Sequence, residues 1–139
     1  MVILGGGYGG VYAALALPKA ARRGQIELLV VSRDNFFLFQ PMLAEVVSGN
    51  IEPPHIISPI RRLCPAANFF QAEIEAVDVE RRTVILNYAD QSDYKYISYD
   101  HLVIAVGTAT DLTGLPGMAE QAFPFKTLGD TLYLRNHLI

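Results

Sequence analysis

The sequence predicts an α/β fold in which a parallel sheet is flanked by helices and an antiparallel three-stranded β-meander is appended to it. Three observations predict this. The apolar run Val2-Ile3-Leu4 stops at three glycines and is followed by residues at helical apolar spacing, which reads as strand, tight turn, helix. A second apolar run, Leu102 to Val106, ends at Gly107 in the same way. Between the two junctions, short alternating runs separated by polar turns read as strands that pair with their neighbours.

Taken in order, the first helix carries apolar residues at Val11, Ala14, Leu15 and Leu17. It ends in Arg22, Arg23 and Gly24, with the arginines near the negative end of the helix dipole. Pro18 lacks an N–H and clashes with the preceding turn, so it must kink this helix or end it early. Ile26 to Val31 is apolar apart from Glu27 and predicts a strand covered on both faces by helices. Strand, helix and strand make one βαβ unit with a right-handed crossover.

Ser32 to Gln40 reads as a loop rich in phenylalanine (Phe36, Phe37, Phe39). A short helix, Met42 to Val47, follows and is terminated by Ser48-Gly49-Asn50. Pro53-Pro54 predicts an extended link, and Ser58-Pro59 a helix start with proline at the first helical position, leading through Ile60, Leu63 and Cys64. Asn68 to Asp78 is β-like with a break near Glu75, Glu80-Arg81-Arg82 turns, and Thr83 to Tyr88 and Lys95 to Tyr99 complete the meander. After the Leu115-Pro116-Gly117 turn, Thr127 can cap a helix through Leu128, Leu132, Leu134 and Leu138. That helix is still amphipathic at Ile139 and has no terminating signal, so the reading expects a piece of a longer protein.

Composition narrows the function. The 139 residues are 51% hydrophobic, with 14 acidic against 11 basic side chains and a net charge of −3. A chain of this size buries a real core but cannot hold two full domains. The basic residues are scattered apart from Arg22-Arg23, Arg61-Arg62 and Arg81-Arg82, which read as surface pairs, and no basic stripe suggests nucleic acid. Val11 to Leu17 is far short of the roughly 20 apolar residues that span a bilayer. Met1 to Gly5 has neither the basic flank nor the length of a signal peptide, which points to the cytoplasm. The one cysteine, Cys64, follows an apolar stripe and reads as an inert buried thiol, and His55, His101 and His137 lack the spacing of a metal site, so no bound metal is expected.

Gly5-Gly6-Gly7-Tyr8-Gly9-Gly10 holds the pattern G-x-G-x-x-G at Gly5, Gly7 and Gly10, directly after a strand and opening a helix. This is the Rossmann-like arrangement. Gly5 permits the tight turn, Gly7 lets the backbone approach a pyrophosphate, and Gly10 lets the helix pack close on the strand. The N–H groups of the helix start then hold the anion. Where an acidic residue normally meets the ribose at the end of the second strand, this sequence has Ser32, followed by Arg33 and Asp34. Two readings stay open. Ser32 and Arg33 suit a ribose 2′-phosphate, as in NADP(H). Alternatively, Ser32 bonds a ribose hydroxyl, Arg33 stacks on the adenine and Asp34 stands in for the missing acid.

With Asp100-His101-Leu102-Val103-Ile104-Ala105-Val106-Gly107-Thr108 added, the sequence resembles the amino-terminal part of the two-dinucleotide-binding-domain flavoproteins. That family includes the pyridine nucleotide-disulfide oxidoreductases, and the match is nearest to type II NADH dehydrogenases. Val2 to Ala14, Ser32 to Ser48 (with Phe36-Phe37-Leu38-Phe39-Gln40-Pro41-Met42-Leu43), Tyr99 to Gly117 and Phe125-Lys126-Thr127-Leu128-Gly129-Asp130 carry it. The resemblance implies an incomplete FAD-binding domain over residues 1–139 of a longer enzyme. Gly5, Gly7, Tyr8, Gly9 and Gly10 would face the FAD pyrophosphate, Ser32 and Arg33 the adenosine, and Ile74 the adenine through its backbone. Phe39, Gln40, Pro41 and Leu43 would lie toward the ribityl chain and isoalloxazine, with Ala105, Val106, Gly107 and Thr108 closing the site. Ser32 for the acidic ribose ligand and Val106 for the usual threonine depart from the family pattern. The family's redox cysteine pair is absent, which favours a quinone over a thiol as electron acceptor.

The resemblance therefore implies a parent enzyme that takes hydride from NADH onto FAD and passes electrons to a quinone, peripheral on the inner face of the cytoplasmic membrane. No catalytic acid or base is identified in these residues. Alone, they are expected to bind FAD weakly or not at all and not to turn over NADH. An NADP(H)-binding domain, or a ligand-free piece that forms a homodimer through apolar surface, are the competing readings. Phe36, Phe37 and Phe39 have a second reading as a core plug, and Tyr94, Tyr96 and Tyr99 read as sheet packing.

Overall fold

Short apolar runs become strands only where a neighbour supplies the ladder, and the computed structural model, which describes residues 1–87 and 94–138, shows where each finds one. In chain order the elements are β1 (Val2–Leu4), α1 (Tyr8–Ala16), α2 (Pro18–Arg22), β2 (Leu29–Ser32), β3 (Phe36–Leu38), α3 (Leu43–Val47), β4 (Ile57–Pro59) and α4 (Ile60–Leu63). Then come β5 (Asn68–Gln71), β6 (Glu73–Asp78), β7 (Thr83–Asn87), β8 (Tyr94–Ser98), β9 (Leu102–Ile104), α5 (Met118–Gln121) and α6 (Leu128–Leu138). They fall into two compact units, Met1–Phe37 with Pro59–Gly107, and Leu38–Ser58 with Thr108–Ile139.

The first unit is the predicted α/β body. Its parallel sheet has the order β5-β2-β1-β9, with Ile3 opposite both Val30 and Val103. On one face Ile3 and Val30 pack with Val11 and Ala14 of α1, Ile60 of α4 and Cys64. On the other, Val2, Leu4 and Val31 pack with Val84 and Leu86 of β7. Burial of each valine, leucine or isoleucine among them contributes about 1.5–3 kcal/mol. The expectation of helices on both faces is thus corrected: the antiparallel meander β6-β7-β8 supplies the second cover.

The meander itself follows the prediction with shifted bounds. Asn68 to Asp78 is two strands: β5 joins the parallel sheet beside β2, and the single buried residue Ala72 hands the chain to β6. The expected irregularity near Glu75 is a register shift between Ile74 and Ala76. The tight turn after β6 closes with Arg82 at φ 50, and the Arg81 N–H donates to Asp78 Oδ1. The predicted strand Thr83 to Tyr88 is seen to Asn87, and Tyr88 lies outside the described residues. Tyr94 and Tyr96 do not pack as expected. They stand on the open face of β8, the outer strand, whose alternate residue Ile97 takes the core side.

Other boundaries shift for local reasons. The first helix begins at Tyr8, earlier than Val11, and Pro18 ends it at Ala16 and opens α2. Predicted from Ile26, β2 starts at Leu29, where its ladder partner begins at Val2. Phe36–Leu38 is extended inside the predicted loop. Pro59 is the N-cap of α4 instead of its first helical residue, and β9 stops at Ile104, although the Ala105 N–H still bonds the Leu4 carbonyl at 2.8 Å.

In the second unit, α3 packs on α6, and Leu43, Val46 and Ile56 form its core with Leu38, Ile51, Ile57 and Leu128 around them. Gly49, at φ +77, follows α3 as a left-handed terminator. Pro53–Ile56 is a 3-10 turn, which corrects the expected extended link: the fixed proline φ suits that turn, and extension is confined to Glu52 before it. The short helix α5 after Gly117 had no sequence signal beyond the turn.

Candidate functional site

The glycine loop is shaped by what a side chain would strike. Gly5 sits at φ +110, where L residues are strained, and a Cβ there would overlap the Ala105 carbonyl. Its N–H donates to the Val31 carbonyl at 2.8 Å. A Cβ on Gly10 would overlap the Gly5 carbonyl and approach Ile3, so only glycine lets α1 lie this close to β1. Gly9 is near the Ala105 side chain, its Cβ position 3.2 Å away. Gly7 is different: nothing stands within 4 Å of its Cβ position. It is also the N-cap of α1, with no side chain to accept the first-turn donors and no acidic residue in that turn. The result is an open cradle at a helix start, whose backbone can hold an anion such as a pyrophosphate.

Gly6, an unassigned position of the pattern, is also spatially required. It is buried, and a Cβ there would press on Ile60 Cδ1 and lie 2.8 Å from Ser32 Oγ. Ser32 is therefore beside the loop at the end of β2, nearly buried, and Arg33 and Asp34 follow it into solvent with Nη2 and Oδ2 4.0 Å apart. Sequence reasoning missed Gln71. From the end of β5 its Nε2 donates to the Arg33 carbonyl at 3.0 Å, while the Ala72 N–H bonds the Ser32 carbonyl at 3.1 Å, so two residues fix the turn after β2. No sequence spacing reveals a contact between neighbouring strand ends.

Tyr8, the first residue of α1, is stacked with Tyr12 at 6.4 Å between centroids and edge-on to Phe37 at 4.9 Å. Desolvation and the neighbouring Tyr12 push its phenol above the ordinary value. Phe37 is thus a packing residue, as one of its two readings held. Ile74 belongs to the β6–β7 ladder opposite Leu86 and packs on the sheet core. Ala105 meets the first glycine turn, Val106 is 58% exposed, and Gly107 turns at φ +75.

The remaining predicted residues lie in the second unit. Phe39 is exposed and its N–H bonds the Ile56 carbonyl; Pro41 lies in the 3-10 turn Gln40–Met42; the Leu43 side chain is spent in the core. Gln40 Nε2 donates to the Lys126 carbonyl at 3.0 Å, and Lys126 Nζ donates to Thr108 Oγ1. Asp130 Oδ2 accepts from the N–H groups of Lys126 and Thr127, and the Asp130 N–H returns to Thr127 Oγ1. This is a capping box with aspartate in the third position, and the spacing Thr127-x-x-Asp130 is legible in the sequence. Cys64 is buried as expected, its thiol pushed up by that burial. No group of three or more metal-ligating side chains is found among the described residues.

The chain is 36% identical over 140 residues to a demethylphylloquinone reductase of Synechocystis sp., covering 98% of this chain and 34% of that protein. It is 32% identical over 149 residues to an external alternative NAD(P)H-ubiquinone oxidoreductase of Solanum tuberosum mitochondria, covering 100% of this chain and 25% of that protein. A structure of NDH2 from Plasmodium falciparum in complex with NADH superposes with a TM-score of 0.82 at 26% identity, over 96% of this chain and 27% of that one. The chain thus spans about a third or less of these relatives. Residues 1–139 match the family model of the pyridine nucleotide-disulphide oxidoreductases, and the chain belongs to that family.

Proposed function

We propose that this chain is the FAD-binding portion of an oxidoreductase in which hydride passes from NADH to the flavin and electrons leave to a quinone. The observation that carries the proposal is the contrast within the glycine loop, where Gly5 and Gly10 are closed by backbone and Gly7 faces open space at the start of α1. FAD would supply the redox chemistry, and the chain's own residues bind and orient it. In this reading the backbone of Gly5, Gly7, Tyr8, Gly9 and Gly10 receives the pyrophosphate. Ser32 and Arg33, fixed by Gln71 and Ala72, meet the adenosine, and Ile74 meets the adenine through its backbone. Phe39, Gln40, Pro41 and Leu43 serve the flavin end, with Ala105, Val106, Gly107 and Thr108 at the closing turn.

The names of the relatives support NAD(P)H as donor and a quinone as acceptor. A quinone in the bilayer suits a parent protein held peripherally on the inner face of the cytoplasmic membrane. No helix among the described residues is long and apolar enough to cross a membrane.

The test is a pair of titrations of the chain, one with FAD and one with NADPH, followed by tryptophan-independent flavin and nicotinamide fluorescence. FAD is expected to bind in preference to NADPH, weakly in these residues alone and without NADH turnover. Tight NADPH binding that Arg33→Ala abolishes, with no FAD binding, overturns the proposal in favour of a 2′-phosphate site.

A further inference from the structure

We infer that Lys126 is a further functional residue of the flavin site, supplying a fixed positive charge to the electron-accepting ring; the inference rests on the FAD reading above. Three segments distant in sequence meet at this lysine. The Lys126 N–H is held by Asp130 Oδ2 at 3.1 Å, its carbonyl accepts from Gln40 Nε2 at 3.0 Å, and its Nζ reaches Thr108 Oγ1. The backbone is therefore pinned on both sides, and the half-buried side chain is directed at a hydroxyl.

Charge is what distinguishes this lysine. Among the described residues no carboxylate lies within ion-pairing distance of its ammonium. The one carboxylate nearby in sequence, Asp130, is engaged by the main-chain donors of Lys126 and Thr127. A cation held in place by its neighbours and not paired with a carboxylate favours an electron-rich partner more strongly than a mobile surface lysine does. Of the two side chains it engages, Gln40 is assigned to the flavin end in the proposed function and Thr108 to the turn that closes the site. A positive charge there favours the reduced ring over the oxidised one, because reduction adds negative charge.

The test uses the flavin-loaded protein and reads its midpoint potential and FAD affinity in Lys126→Met, Lys126→Gln and Lys126→Arg. Both neutral variants are expected to lose about tenfold in preference for the reduced over the oxidised cofactor, a potential lower by about 30 mV for a two-electron couple. Arginine restores most of it. Glutamine keeps a donor for Thr108 without the charge, so it separates charge from hydrogen bonding and serves if methionine disturbs folding. Flavin bound at an unchanged potential in a neutral variant overturns the inference. Absence of flavin from the unsubstituted full-length parent enzyme overturns the FAD reading instead.

Discussion

The Gly5 carbonyl oxygen occupies the space that a Cβ on Gly10 would need. The contact is backbone against backbone, so no rotamer change can relieve it. Gly10→Ala must push α1 off β1, and with it the packing of Val11 and Ala14 on Ile3 and Val30. A loss of about 3 kcal/mol is expected from such overpacking, read as a lower urea midpoint. A variant as stable as the parent would show that the helix lies farther from the strand.

Gly7→Ala should behave in the opposite way. Its φ of −83 is open to any residue and its Cβ meets nothing, so stability should change by less than about 1 kcal/mol. The methyl group would stand where the pyrophosphate is proposed to lie. FAD affinity should fall by an order of magnitude or more, measured by equilibrium dialysis. Equal affinity in the two proteins would remove the cradle from the binding site.

Asp130 makes the start of α6 acid-sensitive. Burial acts to raise its carboxyl, the donors of Thr127 and Lys126 outweigh that, and the net shift is downward from 3.8. A carboxyl depressed in the folded state contributes stability that is fully present above its unfolded pKa and is lost as pH falls through the depressed one. Asp130→Ala should therefore cost about 1 kcal/mol at neutral pH. That difference from the parent should narrow below pH 3.8, as followed by denaturation at several pH values. A gap that stays constant into acid would mean the carboxylate is not the cap.

Cys64 should be slow toward thiol reagents. Burial holds its thiol above the ordinary 9.0, and its Sγ faces the Val11 carbonyl at 4.0 Å inside the helix-side core. Only the thiolate reacts, so labelling at pH 8 should follow the opening of the fold and accelerate sharply in denaturant. Labelling as fast as in the unfolded chain would place the thiol at the surface.

The parts of this fold that were legible in sequence are those written in local patterns. The Gly5, Gly7 and Gly10 spacing marked the strand-turn-helix, Pro18 marked the helix break, and Thr127 marked the cap. What was not legible depends on partners distant in the chain. Asn68 to Asp78 looks like one strand because the split at Ala72 arises from two different neighbours, β2 and β7. Tyr94 and Tyr96 look like packing residues because nothing in an alternating run says which face will be covered. At the candidate site, Gln71 and Lys126 act through hydrogen bonds to main-chain carbonyls or a distant hydroxyl, which leave no mark on residue spacing.

Ala72 is the whole link from β5 of the parallel sheet to β6 of the antiparallel one, and its N–H is already committed to the Ser32 carbonyl. A joint one residue long has no slack. Insertions and deletions in this protein's history should have collected at the Val79 to Arg82 turn, which can lengthen without moving either sheet, and been rejected at Ala72. One added residue there would turn every inward side chain of β6 outward and pull on the strand end that carries Ser32.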